Sequence, residues 1–312
     1  MAWYLLRRVL AAIPVIVGLS IAAFLIIHLV PGNPVQQMLG AHATPEKVAQ
    51  VSHQLGLDRP LVAQYLKFVS GAVVGDFGES ITLNQPVTTL IGQRSVATFW
   101  LLLYGVFVAL LIGVPLAIWS AVRRDGWADQ AIRLFSTTAF GMPTFWLGLV
   151  LALVFGLELG WLPVGGYTDS FPALLWCLTL PAITLGLSLT AIVIRSLRSS
   201  LLESLSSDYV EAARARGLSE RRVVLRYGVR NSLGAMVTII AVNIGYLIGG
   251  TVVIETVFQI PGLGSLLVEA SLRRDYTLVT ALTLVAGIAV VIISLFTDLL
   301  YAYLDPRVRL QS

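Results

Sequence analysis

The stretch Leu174-Leu175-Trp176-Cys177-Leu178-Thr179-Leu180-Pro181-Ala182-Ile183-Thr184-Leu185-Gly186-Leu187-Ser188-Leu189-Thr190-Ala191-Ile192-Val193-Ile194-Arg195-Ser196 holds no charged side chain before Arg195. About 20 predominantly apolar residues let a helix cross the hydrocarbon core of a bilayer, where every backbone polar group must be satisfied internally, so the stretch reads as a membrane-spanning helix. Five more stretches have the same character: Val9 to Val30, Val96 to Val122, Ala131 to Leu157, Leu233 to Ile254 and Leu278 to Leu300. Of the 312 residues, 57% are hydrophobic and only 12% charged, against roughly 25% charged in a soluble domain. The expected fold class is an all-α integral membrane protein with six transmembrane helices.

A net charge of +4 could suggest nucleic acid, but the basic residues flank apolar spans and lack interleaved aromatics, so topology accounts for them. With the N-terminus in the cytosol, 15 of the 21 Lys and Arg fall inside: Arg7, Arg8, Arg123, Arg124, Arg133, the eight arginines from Arg195 to Arg230, Arg307 and Arg309. The positive-inside rule therefore places both termini in the cytosol. Arg273-Arg274, in a short outer loop, is the discordant pair. The first span follows Arg7-Arg8 as a signal peptide would, yet its apolar run is too long and no small-residue cleavage site follows; it reads as a retained anchor.

Downstream of the quoted span lies Asp208-Tyr209-Val210-Glu211-Ala212-Ala213-Arg214-Ala215-Arg216-Gly217-Leu218-Ser219. Asp208 suits an N-cap with Glu211 completing a capping box, and Gly217 suits the left-handed residue that ends a helix. Alanines permit close approach and arginines grip carboxylates, so a short helix outside the membrane could dock a soluble partner. A linker whose charge merely sets topology is the plainer reading. Leu201, Leu202, Leu205, Tyr209, Ala212 and Ala213 follow a helical stripe, which predicts one rigid element from the fourth span to the docking surface. After Ser219, a second cap, Arg222, Arg226 and Arg230 recur on one face, for a soluble partner or for anionic lipid.

Two outer segments are more than turns. Thr44-Pro45 opens a helix that Gly56 closes, and a second helix follows Asp58, with Leu61, Tyr65 and Phe68 on one face, ending by Gly71. These predict a small helical extracytoplasmic cap. Within the spans, charge is confined to Arg133, Arg195 and Asp298 near the cytosolic ends, so the midplane acids of an ion relay are missing. Gly245 and Gly249 form a small-xxx-small pair with Asn243 and Gly250 nearby, which suits helix packing or a movable, path-lining helix. No phosphate-binding loop, H-E-x-x-H pair or G-x-S-x-G elbow occurs, and Asp76-Phe77-Gly78 has no other kinase element around it. His28, His42 and His53 lack ligand spacing, and the lone Cys177 suits a small buried hydrophobe. An energy source must attach from outside the chain.

The chain resembles the permease subunits of ATP-binding-cassette importers, whose cytosolic loop carries a Glu-Ala-Ala motif followed by glycine, here Glu211-Ala212-Ala213 with Gly217. It resembles in particular the B-type permease of dipeptide, oligopeptide and nickel importers. The matches are Leu29-Val30-Pro31-Gly32-Asn33-Pro34, Gly56-Leu57-Asp58-Arg59-Pro60 with Gln64-Tyr65, Gly75-Asp76-Phe77-Gly78-Glu79-Ser80, Phe145-Trp146-Leu147-Gly148, Gly160-Trp161-Leu162-Pro163, Leu180-Pro181-Ala182, Glu255-Thr256-Val257-Phe258, Pro261-Gly262-Leu263-Gly264, Arg274-Asp275-Tyr276 and Leu304-Asp305-Pro306-Arg307. Asn33 stands where the family commonly has aspartate, and Thr277 where proline often follows.

The resemblance implies a type I importer permease in a bacterial cytoplasmic membrane. It would work with a second homologous permease, two ATPase subunits that bind ATP and Mg, and an extracytoplasmic binding protein, with no cofactor in this chain. Asp208, Tyr209, Glu211, Ala212, Ala213, Arg214, Arg216, Gly217 and Leu218 would form the coupling helix for one ATPase. Asp76, Phe77, Pro261, Gly262, Arg274, Asp275 and Tyr276 would receive the binding protein or gate the outer mouth, and Asn243, Gly245, Gly249 and Gly250 would line the path. Peptide is the expected solute. The expected division is residues 1–30 as N-terminus and first span, 31–95 as cap, and 96–312 as a five-helix core with a coupling segment at 197–232 and an outer loop at 255–277. A self-contained channel or ion-coupled transporter is the alternative, and an intramembrane enzyme a third class.

Overall fold

The computed structural model describes residues 2–29, 32–40 and 43–304. Val30, Pro31, His42, Asp305, Pro306, Arg307 and Arg309 lie outside the described residues. Helix α1 spans Ala2–His28, and three short helices follow: α2 Pro34–Leu39, α3 Pro45–Leu55 and α4 Leu61–Val74. A two-stranded antiparallel hairpin, β1 Glu79–Ser80 and β2 Gln85–Pro86, leads into α5 Val87–Val122, then α6 Trp127–Gly141 and α7 Thr144–Leu151, the last continued by wider π-type turns to Glu158. Helix α8 runs Ala173–Leu205 and α9 Asp208–Ala215; α10 Glu220–Arg222 passes through π-type turns at Val223–Val229 into α11 Arg230–Val257. Helices α12 Leu263–Leu272 and α13 Tyr276–Leu304 complete the order.

Helices α1, α5, α8, α11 and α13 are each long and apolar enough to cross a membrane. The third expected span, Ala131 to Leu157, is not one helix: α6 and the α7 element meet at 108°. Met142 adopts φ −82 and ψ 131, as the residue before Pro143 must when the proline ring excludes its helical conformation. Among the described residues there are therefore five continuous helices able to span, or six spans if the bent pair is counted as one. Helix α5 also starts earlier than the expected Val96, at Val87, because no proline separates the two positions and the polar residues between them are compatible with helix.

The chain divides into two compact units, Ala2–Thr98 with Pro261–Ile292, and Phe99–Ile260 with 293–304. In the first, Thr44 Oγ1 accepts the Lys47 amide at 3.3 Å and Gly56 takes φ +72, so α3 begins and ends as its sequence predicts. Helix α4 passes the expected stop at Gly71 and ends at Gly75, φ +80. A side chain at Gly71 would meet the Asp76 carbonyl at 2.5 Å, so Gly71 serves the close return of the chain there. Leu61 is exposed, while Tyr65 and Phe68 pack at 5.4 and 6.1 Å from Phe24 of α1.

In the second unit α8 is the buried centre, with Leu178, Leu185, Leu189, Ile194, Leu197 and Leu201 almost inaccessible, packed against α6 and α11. Helix α5 approaches so closely that a Cβ on Gly186 would lie 2.7 Å from the Gly105 carbonyl. On α5, Phe99, Leu103, Phe107 and Leu111 form an exposed apolar stripe at four-residue spacing, suited to lipid or another apolar chain.

Candidate functional site

The segment after α8 departs from the expected rigid rod. Helix α8 stops at Leu205 and Ser207 is extended, φ −84 and ψ 150, before α9 begins. That break shifts the helical phase: Val210 and Ala213 are buried, whereas Tyr209 and Ala212 are exposed. It also moves the cap. Ser207, not Asp208, is the N-cap, and its hydroxyl turns back to donate to the Ser204 carbonyl at 2.5 Å, so α9 has no side-chain cap and Glu211 comes too late for a capping box. Asp208 and Glu211 still lie in the first turn, where the helix dipole favours negative charge.

The far end follows the sequence. Gly217 has φ +78. Its N–H donates to the Arg214 carbonyl at 2.9 Å and the Leu218 N–H to the Ala213 carbonyl at 3.4 Å, the paired bonds of a Schellman stop. Leu218 folds back onto Val210, Ala213 and Val223, joined by Leu205 and Tyr227. One face of α9 is thus seated on the chain itself, and Asp208, Glu211, Ala212, Ala215 and Arg216 form the other, exposed face.

Arg214 belongs to the scaffold rather than to that outer face. Its guanidinium grips both Glu220 oxygens at 2.7 and 3.1 Å and reaches the Leu205 carbonyl at 3.4 Å. The hydrogen bond and charge of Arg214 hold the Glu220 carboxyl below the ordinary carboxylate range. Burial works to raise the pKa of the Tyr209 phenol, but its hydrogen bonds with Ser204, Ser207 and Asn231 outweigh this and lower it. Arg222, Arg226 and Arg230 are all exposed, although π-type turns replace the regular helix between them.

The expected outer-face residues divide into supports and exposed groups. Asp275 is fully buried and accepts from Ser80 Oγ at 2.6 Å, Thr82 Oγ1 at 2.8 Å and the Thr82 amide at 3.1 Å, while its second oxygen caps α13 through the Leu278 amide at 3.1 Å. It ties the hairpin to the start of α13. Phe77 packs on the Val87, Leu90, Leu266 and Leu278 core, Gly262 is buried at the start of α12, and Pro261 is half-buried. Tyr276 donates to Gln37 Oε1 at 3.1 Å. Asp76 and Arg274 are the exposed members; Asp76 accepts the Gly78 amide at 2.9 Å.

Of the expected path residues, Gly245, Gly249 and Gly250 line a cavity of about 500 Å³ with Thr144, Leu185, Ser188, Tyr246, Leu247 and Val253. A Cβ on Gly249 would meet nothing within 4 Å. Asn243 is not among the lining residues; its amide donates back to the Ile239 carbonyl at 2.7 Å, one turn earlier. The lining carries the hydroxyls of Thr144, Ser188 and Tyr246 and no charged side chain. Among the described residues no three His, Cys, Asp or Glu converge as a metal site.

A buried ion pair had no signal in the sequence. Asp129, fully buried, receives Arg198 Nε at 2.8 Å and Nη2 at 2.7 Å, together with the Ser120 hydroxyl and the Asp125 amide at 3.0 Å. It joins the end of α5, the start of α6 and the stem of α8. Asp129 and Arg198 are 69 residues apart in the chain, so no local pattern announces the pair.

A family profile described as "Binding-protein-dependent transport system inner membrane component" matches residues 113–310, and the profile of its N-terminal domain matches residues 1–101. The chain is 38% identical over 306 residues to the glutathione transport system permease protein GsiC of Escherichia coli (strain K12), with 98% of each chain covered. The same protein of Salmonella typhi and of Salmonella paratyphi A gives the same identity and coverage. Among solved structures, one described as inward facing conformations of the MetNI methionine ABC transporter, in a native crystal form, is similar with a TM-score of 0.56 and 17% identity, covering 69% of this chain and 96% of that one. At that identity the likeness concerns the fold.

Proposed function

Because this chain belongs to the family of binding-protein-dependent transport system inner membrane components, and is a multi-pass inner-membrane permease subunit of an ATP-binding-cassette importer rather than an enzyme, we propose that α9 is its coupling helix and that its solute is glutathione or a short peptide of that kind. A second permease would complete the path, two ATPases would use ATP and Mg on the cytosolic side, and a binding protein would deliver the solute from outside. Both termini would be cytosolic. Nucleotide binding would draw the ATPases together and move α9; hydrolysis would reset it.

The observation that carries this reading is the two-faced seat of α9. Its inner face is fixed by Val210, Ala213 and Leu218, and its outer face offers Glu211, Ala212, Ala215 and Arg216. The uncharged cavity beside Gly249 supports a path that passes a solute without holding its charged ends by ion pairs. The 38% identity to glutathione permeases favours that solute over longer peptides. No observation favours a self-contained channel or ion-coupled transporter.

Two substitutions test the coupling role. Gly217→Pro fixes φ near −65° and removes the N–H that closes the stop, while Glu211→Lys reverses a charge on the outer face. Each should abolish binding-protein-dependent uptake of labelled glutathione and dipeptides while leaving the chain in the membrane fraction. Normal uptake by both variants refutes the coupling role; loss of dipeptide but not glutathione uptake on deleting the importer's genes, or the reverse, decides the solute.

A further inference from the structure

We infer that the Tyr209 hydroxyl is a positioning group that carries movement of α9 into the membrane spans. The inference rests on the coupling reading of α9 and adds the connection by which force would leave it. A continuous helix from α8 into α9 would transmit a push by itself, but Ser206 and Ser207 interrupt that helix. Another connection must therefore resist rotation of α9 about the break. The apolar contacts of Val210 and Ala213 hold α9 in place without direction, since such contacts are not angular.

Tyr209 supplies direction. Its Oη lies 2.8 Å from Ser204 Oγ on the last turn of α8 and 2.9 Å from Asn231 Nδ2 on the first turn of α11. Ser204 Oγ in turn donates to the Tyr227 carbonyl at 3.4 Å. These partners fix the polarity of the chain. The Asn231 amide donates to Tyr209, the phenol donates to Ser204, and Ser204 donates to Tyr227. One hydroxyl thus bonds both spans to the coupling helix, and each bond polarises the next.

The setting suits a connection that changes in each cycle. Tyr209 is 43% exposed and Asn231 is exposed, so water can take the place of either bond as α9 moves. The π-type turns at Val223–Val229 leave the approach to α11 less regular than an α-helix, and such turns recur at functional sites. Tyr209 therefore points away from the ATPase-facing role that the sequence assigned to every residue of the motif. Its ring is on α9, but its polar atom serves the spans.

The test uses the whole importer in proteoliposomes with its binding protein. Tyr209→Phe keeps the ring and removes both central bonds, and should lower solute moved per ATP hydrolysed about tenfold, the shift expected from losing two hydrogen bonds in one of two states. The ATPase subunits should still co-purify with the variant. Asn231→Leu should lower the same ratio, and combining the two should add little, since they break one chain. Asn231→Gln, which keeps an amide donor for the phenol, should restore part of the ratio. An unchanged ratio for Tyr209→Phe, or additive losses, overturns the inference. If Gly217→Pro and Glu211→Lys also transport normally, the coupling reading fails with it; if they abolish uptake while Tyr209→Phe is normal, only the Tyr209 connection is wrong.

Discussion

Two glycines of the second unit separate close packing from open space at the scale of single residues. At Gly186 a Cβ would sit 2.7 Å from the Gly105 carbonyl and 3.2 Å from Val108 Cγ1, so Gly186→Ala must push α5 away from α8. Overpacking of this kind costs about 1–3 kcal/mol, and a lower melting temperature in detergent is the expected result. At Gly249 the same atom meets nothing within 4 Å. Gly249→Ala should leave melting unchanged, whereas Gly249→Trp should fill the cavity and reduce uptake severely without loss of the folded chain; undiminished uptake by the tryptophan variant would remove this cavity from the path. Sequence alone could not separate the two glycines, because both sit in apolar helical runs and only the distance to a neighbouring backbone distinguishes them. Gly217 was legible for the opposite reason. Its conformation is set locally, by the end of one helix.

Elements whose ends carry their own chemistry were readable, and elements fixed by distant partners were not. Thr44, Pro45 and Gly56 bound α3 as expected, but the start of α9 depended on whether Ser207 turned back to Ser204, a choice between adjacent polar residues that helix propensity does not decide. The bend between α6 and α7 was written in Met142-Pro143, yet the apolar run on either side concealed it. Asp129 and Arg198 show the largest gap. Buried at 0% and 17% side-chain exposure and bonded twice, they hold three helices where the sequence shows two unrelated charged residues. Breaking such a pair leaves an uncompensated charge and costs about 3–5 kcal/mol. Asp129→Leu should therefore reduce the yield of folded chain sharply, and Asp129→Leu with Arg198→Leu should recover much of it, since an apolar replacement of the whole pair leaves no buried charge. A double variant as unstable as the single one would mean that the Ser120 and Asp125 bonds, not the ion pair, secure this corner.

At the scale of the whole molecule, orientation is the property on which the functional reading turns. The arginines at 123, 124, 133, 195, 216, 221, 222, 226 and 230 are all exposed, and they occupy the α5–α6 connection, the middle of α6, the stem of α8 and the segment from the end of α9 to the start of α11. Connections on one side of an alternating helical path share a compartment, and basic residues near span ends favour the cytosol. By the same alternation, the hairpin at residues 79–86, in the connection between α1 and α5, is expected in the other compartment. With Cys177→Ser removing the single native thiol, a cysteine in each place reports its compartment. Arg124→Cys sits at a side chain 66% exposed in the α5–α6 connection; Gln85→Cys is exposed on the hairpin. In intact cells a membrane-impermeant maleimide should label Gln85→Cys and spare Arg124→Cys, and inverted vesicles should reverse the pattern. The opposite result would put α9 outside the cell. An ATP-driven partner could then not reach it, and the coupling role would fall however well the α9 geometry suits it.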